Sequence, residues 1–234
     1  MPDFPDEAEV TGEAHGEKVA LRAVLLARRR ALPAPDRAAA AALVQAELTD
    51  LVRRSAPGRV TAYVPVGSEP GGPDLPDRLL EALAVPAGPV PGAPVPDARD
   101  LAAPDRGGEL LLPVLRADLD LDWARYTGVG ADGGALVAAG RGLREPAGAR
   151  LGTDVIGTAA LVIVPALAVD RRGIRLGRGG GSYDRALARV APGVLTVALL
   201  HDGELVDRVP AQPHDRPVRA VITPSDGFRL LSTG

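Results

Sequence analysis

The run Arg175-Leu176-Gly177-Arg178-Gly179-Gly180-Gly181-Ser182-Tyr183-Asp184-Arg185 sets successive glycines among arginines and closes on a carboxylate. Glycines lack a Cβ, so the backbone N–H groups of such a run can converge on an anion. Arg175 and Arg178 can clamp phosphate oxygens, and a helix starting near Ser182 would add free N–H groups and a positive dipole end. Asp184 would repel a bare phosphate. Its presence points to a cation between the two, since Mg2+ takes one or two carboxylates together with substrate phosphates. The run fits neither G-x-x-x-x-G-K-[ST] nor the strand-loop-helix register of G-x-G-x-x-G. On these residues alone, a phosphate loop and a solvated Arg-Gly turn both remain open.

Two further places can do chemistry. Lys18 is the only lysine among 27 basic residues. Where Arg otherwise serves for positive charge, a surviving Lys either marks a site that needs a compact ammonium or persists on a solvated helix face. Arg22 follows one helical turn later, so both side chains can address one ligand. Glu69 stands in the loop Gly67 to Pro73 behind an apparent strand, where open α/β sheets bind ligands. The remaining polar candidates read as structural. His201 and His214 are isolated, Asp170 belongs to a turn, and Asp118, Asp120 and Asp122 lack the glycine and distal glutamate of a Ca2+ loop.

Positioning these residues calls for alternating helices and strands. Val19, Leu21, Val24, Leu25 and Leu26 predict an amphipathic helix over Glu17 to Ala31, ending before Pro33. A second helix is expected from Asp36 to about Arg54. Strands are predicted at Arg59 to Pro65, Glu109 to Leu115, Ala159 to Pro165, Gly193 to Leu200 and Val218 to Ile222, with helices over Asp74 to Leu83 and Tyr183 to Val190. The continuous apolar run Ala160-Leu161-Val162-Ile163-Val164 is of the kind buried on both faces of a parallel sheet, and a hairpin-like link through Val169, Asp170 and Gly173 joins it to the glycine run. Asp118 to Tyr126 and Gly128 to Gly142 resist assignment. Pro86 to Pro96 reads as a weak strand or connector, in a Pro-rich stretch to Pro104. The fold class is α/β: a three-layer, Rossmann-like, mostly parallel sheet with helices on both faces. The domain division is a disordered acidic tail at 1–16 and one α/β domain at 17–234.

The chain of 234 residues is 46% hydrophobic but only 3% aromatic, so Ala, Val and Leu must build the core. A net charge of −3 gives no global reason to expect nucleic acid or a membrane surface as partner. The absence of cysteine excludes disulfides, thiolate metal sites and a Cys nucleophile. With no apolar signal segment and no membrane-length run, a cytoplasmic monomer acting on a small molecule is the expectation.

The chain resembles the 5-formyltetrahydrofolate cyclo-ligase family, also called methenyltetrahydrofolate synthetase, from about Glu17 to Thr223. Four features carry the resemblance: Lys18-Val19-Ala20-Leu21-Arg22 followed by Arg30; Tyr63-Val64-Pro65 with Glu69; Val164 to Gly173; and Arg175 to Arg185. The last two, joined in one stretch, are the specific ones. The resemblance implies ATP and Mg2+ as cofactors and 5-formyltetrahydrofolate as substrate. It places the triphosphate on Lys18, Arg22 and the loop of Arg175, Leu176, Gly177, Arg178, Gly179, Gly180, Gly181, Ser182 and Tyr183. Folate would meet Val64, Glu69 and residues 178–182, with Tyr63 and Trp123 as rings that can stack on the pterin or fill the core. Asp184 and Asp215 would take Mg2+, and Lys18 and Arg178 would carry the catalytic charge. Some members have Lys where Gly180 stands and Tyr where Ser182 stands, which puts affinity in question more than reaction type. An ATP-using enzyme with another acceptor and a silent nucleotide-binding module are the rival readings.

Overall fold

The computed structural model describes residues 7–84, 108–128, 135–212 and 215–232. Residues 1–6, the Pro-rich stretch from 86 to 104, and His214 lie outside these. The first helix, α1, spans Glu7–Ala31. It therefore begins inside the segment expected to be a disordered tail. Gly12 and Gly16 do not interrupt the helix. α2 follows at Ala34–Ser55, with Pro35 in its first turn, where a missing N–H costs nothing.

The sheet strands are β1 (Arg59–Thr61), β2 (Glu109–Leu115), β3 (Leu121–Arg125), β6 (Leu161–Pro165), β9 (Leu195–Leu199), β11 (Ala220–Thr223) and β12 (Gly227–Leu230). They lie in the order β12-β11-β9-β6-β1-β2-β3. The five central strands are parallel, and both edges, β3 against β2 and β12 against β11, are antiparallel. Alternation along each strand builds two cores. Leu110, Leu112, Leu161, Ile163, Val197, Leu199 and Ile222 face one side, under α2 and the helix α3 (Leu75–Ala84). Leu111, Val162, Val164, Ala198 and Val221 face the other, under the short helix α4 (Ser182–Leu187) and a 3-10 turn at Thr153–Thr158. The expected layering holds, with α4 only six residues long. Trp123 is fully buried in the second core, so it fills the interior and does not offer a stacking face. Among the described residues, no helix is long and apolar enough to cross a membrane.

Two small sheets hang on this frame. β4 (Leu136–Ala138) pairs with β5 (Arg144–Pro146). β7 (Ala168–Asp170) lies between β8 (Arg175–Leu176) and β10 (Leu205–Val206). Asp170 is the knot of the second. Fully buried, it accepts N–H bonds from Arg172 at 2.9 Å, Ile174 at 3.0 Å and Val209 at 3.1 Å, and pairs with the Arg172 guanidinium at 2.7 Å. Its carboxylate thus fixes the hairpin that delivers Arg175. Asp170→Ala should leave these donors without acceptors and cost about 3 kcal/mol. Thermal unfolding should register this as a Tm lowered by roughly 10 °C.

Candidate active site

In the strand order, β1 sits between β2 and β6, so the chain leaves the C-terminal ends of β1 and β6 in different directions. This is the switch point at which open α/β sheets hold ligands. A cavity of about 720 Å³ opens there. All the residues expected at a site line it: Lys18 and Arg22 from α1, Val64 and Glu69 behind β1, the run Arg175 to Asp184, and Asp215.

The helix α1 supplies one cationic stripe. Positions 18, 22 and 29 recur on a single face at helical spacing, and Lys18, Arg22 and Arg29 all reach the cavity wall. Lys18 is 4% exposed, and its ammonium donates to both Asp215 oxygens at 2.6 and 2.9 Å and to Gln212 Oε1 at 3.3 Å. It is therefore no solvated surface lysine. Arg22 Nε donates to the Gly177 carbonyl at 2.9 Å, tying the helix to the glycine run.

That run leaves β8 and enters α4. Arg175 is buried, with Nη2 2.9 Å from Asp184 Oδ1 and its guanidinium carbon 5.8 Å from the centre of the Tyr183 ring. A Cβ on Gly177 would stand 2.7 Å from Arg175 Nη1, so a side chain there would displace the guanidinium. Gly179 has φ of +107°, a backbone state closed to most side chains, and lies against the Arg22 guanidinium. With α4 so short, the arginines around the glycine run carry the case for an anion more than a helix dipole does.

Opposite stands Glu69. Its Oε2 accepts the Val66 N–H at 2.9 Å and its Oε1 lies 3.0 Å from Arg178 Nε. The residue expected at folate is thus joined to one expected at both ligands. Tyr63 donates to the Pro70 carbonyl at 2.8 Å, while the buried Tyr183 hydroxyl has no partner among the described residues. Burial, reinforced by the Glu69 charge, holds both phenols above their ordinary range, so each is a neutral O–H donor.

The third side is apolar. Pro113, Leu115, Leu119, Leu121 and Leu143 form a wall suited to a flat ring system. Neither this wall nor Arg29 is among the residues expected from the sequence, where Arg30, exposed in the structure, stands instead. The spacing from Lys18 was the signal that distinguishes the two. Among the described residues no group of three or more His, Cys, Asp or Glu could hold a metal unaided. The donor set still suits Mg2+ beside a phosphate chain, which needs only one or two carboxylates. Asp184 has its second oxygen uncommitted among the described residues.

The chain is similar to known proteins. The model of the 5-formyltetrahydrofolate cyclo-ligase family matches residues 99–224. A 5-formyltetrahydrofolate cyclo-ligase of Mycolicibacterium smegmatis is 41% identical over 220 residues, covering 92% of this chain and 97% of the relative. One from Escherichia coli K12 is 41% identical over 70 residues, covering 28% and 36%. Among solved structures, the 5,10-methenyltetrahydrofolate synthetase of Aquifex aeolicus superposes with a TM-score of 0.68 at 26% identity, covering 93% of this chain and 94% of that one. The synthetase of Mycoplasma pneumoniae, at 15% identity and a TM-score of 0.60, shares the fold over 87% and 96% of the two chains.

Proposed function

Because the chain belongs to the 5-formyltetrahydrofolate cyclo-ligase family, we propose that it closes 5-formyltetrahydrofolate to 5,10-methenyltetrahydrofolate at the expense of ATP. The observation that carries this reading is one cavity in which Lys18, Arg22, Arg175 and Arg178 surround a glycine run, while Glu69 and an apolar wall face them.

The chemical problem is the formyl oxygen, a poor leaving group. The oxygen attacks the γ-phosphorus of ATP, the bond to the bridging oxygen breaks, and ADP departs. N10 then adds to the activated formyl carbon, and the phosphate leaves with the formyl oxygen. The N10 proton is lost, and the product is the methenyl cation. Phosphoryl transfer of this kind asks the protein for positioning and charge more than for a nucleophile, in keeping with a chain that has no cysteine.

Lys18 and Arg22 stand on one helical face to meet the phosphate chain, and the loop from Arg175 to Tyr183 wraps it. Arg178, tied to Glu69, stands where the two substrates touch and meets the charge that develops between them. Val64 and residues 179–182 border the folate, and Glu69 accepts N–H bonds from the pterin edge, a task for which a carboxylate is suited. Asp184 and Asp215 are the residues that would hold Mg2+. The ion neutralises phosphate charge when bound. Arg175 and Lys18 meanwhile pair with the two carboxylates and hold them in place.

With 5-formyltetrahydrofolate and Mg-ATP, the purified protein should generate the absorbance of methenyltetrahydrofolate with one ADP per ring closed. ATP hydrolysis without that product would assign the acceptor wrongly.

A further inference from the structure

Arg29, Glu204 and His201 are buried polar residues that the chemistry above does not use. Arg29 Nε donates to Glu204 Oε1 at 2.6 Å and Nη2 to Oε2 at 2.7 Å, a two-pronged pair with both side chains almost wholly buried. Nη2 also donates to the Ala166 carbonyl at 2.5 Å. Glu204 Oε2 accepts the backbone N–H of His201 at 2.7 Å. The His201 ring then places Nε2 3.0 Å from the carbonyl of Ser68. That oxygen can only accept, so Nε2 carries the proton. Ser68 immediately precedes Glu69, in a turn closed by the Glu69 N–H on the Val66 carbonyl and by Gly67 at φ of +62°.

The chain of contacts therefore runs from the cationic face of α1, through the segments behind β6 and β9, to the turn that aims Glu69. A buried ion pair this isolated adds little net stability, while breaking one partner is costly. Such pairs are best understood by what they fix. We propose that His201, held by the Arg29–Glu204 pair, is a positioning residue for Glu69 and thereby sets affinity for the folate substrate. Without the ring contact the Val66–Glu69 turn loses its clasp on the β9 side. The carboxylate loses its fixed place.

This rests on the reading of Glu69 as a folate contact, and the experiment separates the two claims. Steady-state kinetics are compared for His201→Leu, His201→Gln and Glu69→Gln. Glutamine can present its amide N–H near the position of Nε2, and leucine cannot. His201→Leu should raise KM for 5-formyltetrahydrofolate roughly tenfold, the worth of one lost positioning bond, with KM for ATP and kcat within about threefold. His201→Gln should return the folate KM to near that of the parent, and Glu69→Gln should raise it at least as far as His201→Leu does. KM does not depend on the folded fraction, so a merely structural role would lower apparent kcat and leave KM in place. Should His201→Leu fail to fold, His201→Asn, whose shorter amide falls short of Ser68, takes its place against His201→Gln. An unchanged folate KM in His201→Leu or His201→Asn, with Glu69→Gln impaired, overturns the positioning role. An unchanged folate KM in Glu69→Gln overturns the site reading, and the positioning role with it.

Discussion

Replacing Lys18 by methionine lowers kcat/KM by on the order of 10³-fold, the scale on which removing a cation from a phosphoryl-transfer site acts. The same change also strips Asp215 of its ammonium at 2.6 Å with both side chains 5% exposed. Removing one partner of a buried ion pair costs about 3 to 5 kcal/mol, so lost activity alone would not separate catalysis from folding. The double variant Lys18→Met with Asp215→Asn tests whether folding is the whole effect, since Asp215 is itself placed at Mg2+ and only a return of turnover decides. Removing both charges should recover most of the thermal stability, because asparagine can still accept the Gln212 N–H that Asp215 now takes at 2.7 Å, while activity stays as low as in the single variant. If the double variant regains turnover along with stability, Lys18 serves only to balance Asp215.

The second large effect concerns Asp184. Asp184→Ala should reduce kcat by about 100-fold and raise the Mg2+ concentration needed for half-maximal rate, because one of at most two carboxylates available to the ion is gone. The residue also fixes Arg175 at 2.9 Å, and a loss of rate could come from that arginine alone. Asp184→Asn distinguishes the two. An amide oxygen still accepts from Arg175 but is a weaker ligand for a hard cation. If Asp184→Asn shows the parental Mg2+ dependence, the carboxylate orients Arg175 and does not hold the ion.

Much of this site was legible because its pieces are local. The glycine run, Asp184 and the Lys18–Arg22 pair each declare their chemistry within a few residues. β2 and β6 were equally plain, since strands buried on both faces read as continuous apolar runs. The antiparallel edges were not. β3 carries Asp122 and Arg125 among its five residues, and β12 exposes Arg229 and Leu230. Edge strands are half solvated, so their pattern merges with that of loops. Arg29 was missed for a geometric reason. Arg28, Arg29 and Arg30 are identical as letters, and only a 100° step on the helix decides which of them turns inward. The wall of Leu115, Leu119 and Leu143 looks in sequence like any core, because nothing local says that its far side faces a cavity. Trp123 posed the opposite problem: a scarce aromatic invited a ligand role, and packing against Leu111 and Val162 claimed it instead.

The central claim is that the cavity brings the formyl oxygen to the γ-phosphate. A turnover of 5-formyltetrahydrofolate carrying 18O in its formyl group tests it most directly, with mass analysis of the phosphate released. The account predicts that the label appears in inorganic phosphate, one atom for each ring closed. Phosphate free of label, with methenyltetrahydrofolate formed, would contradict it.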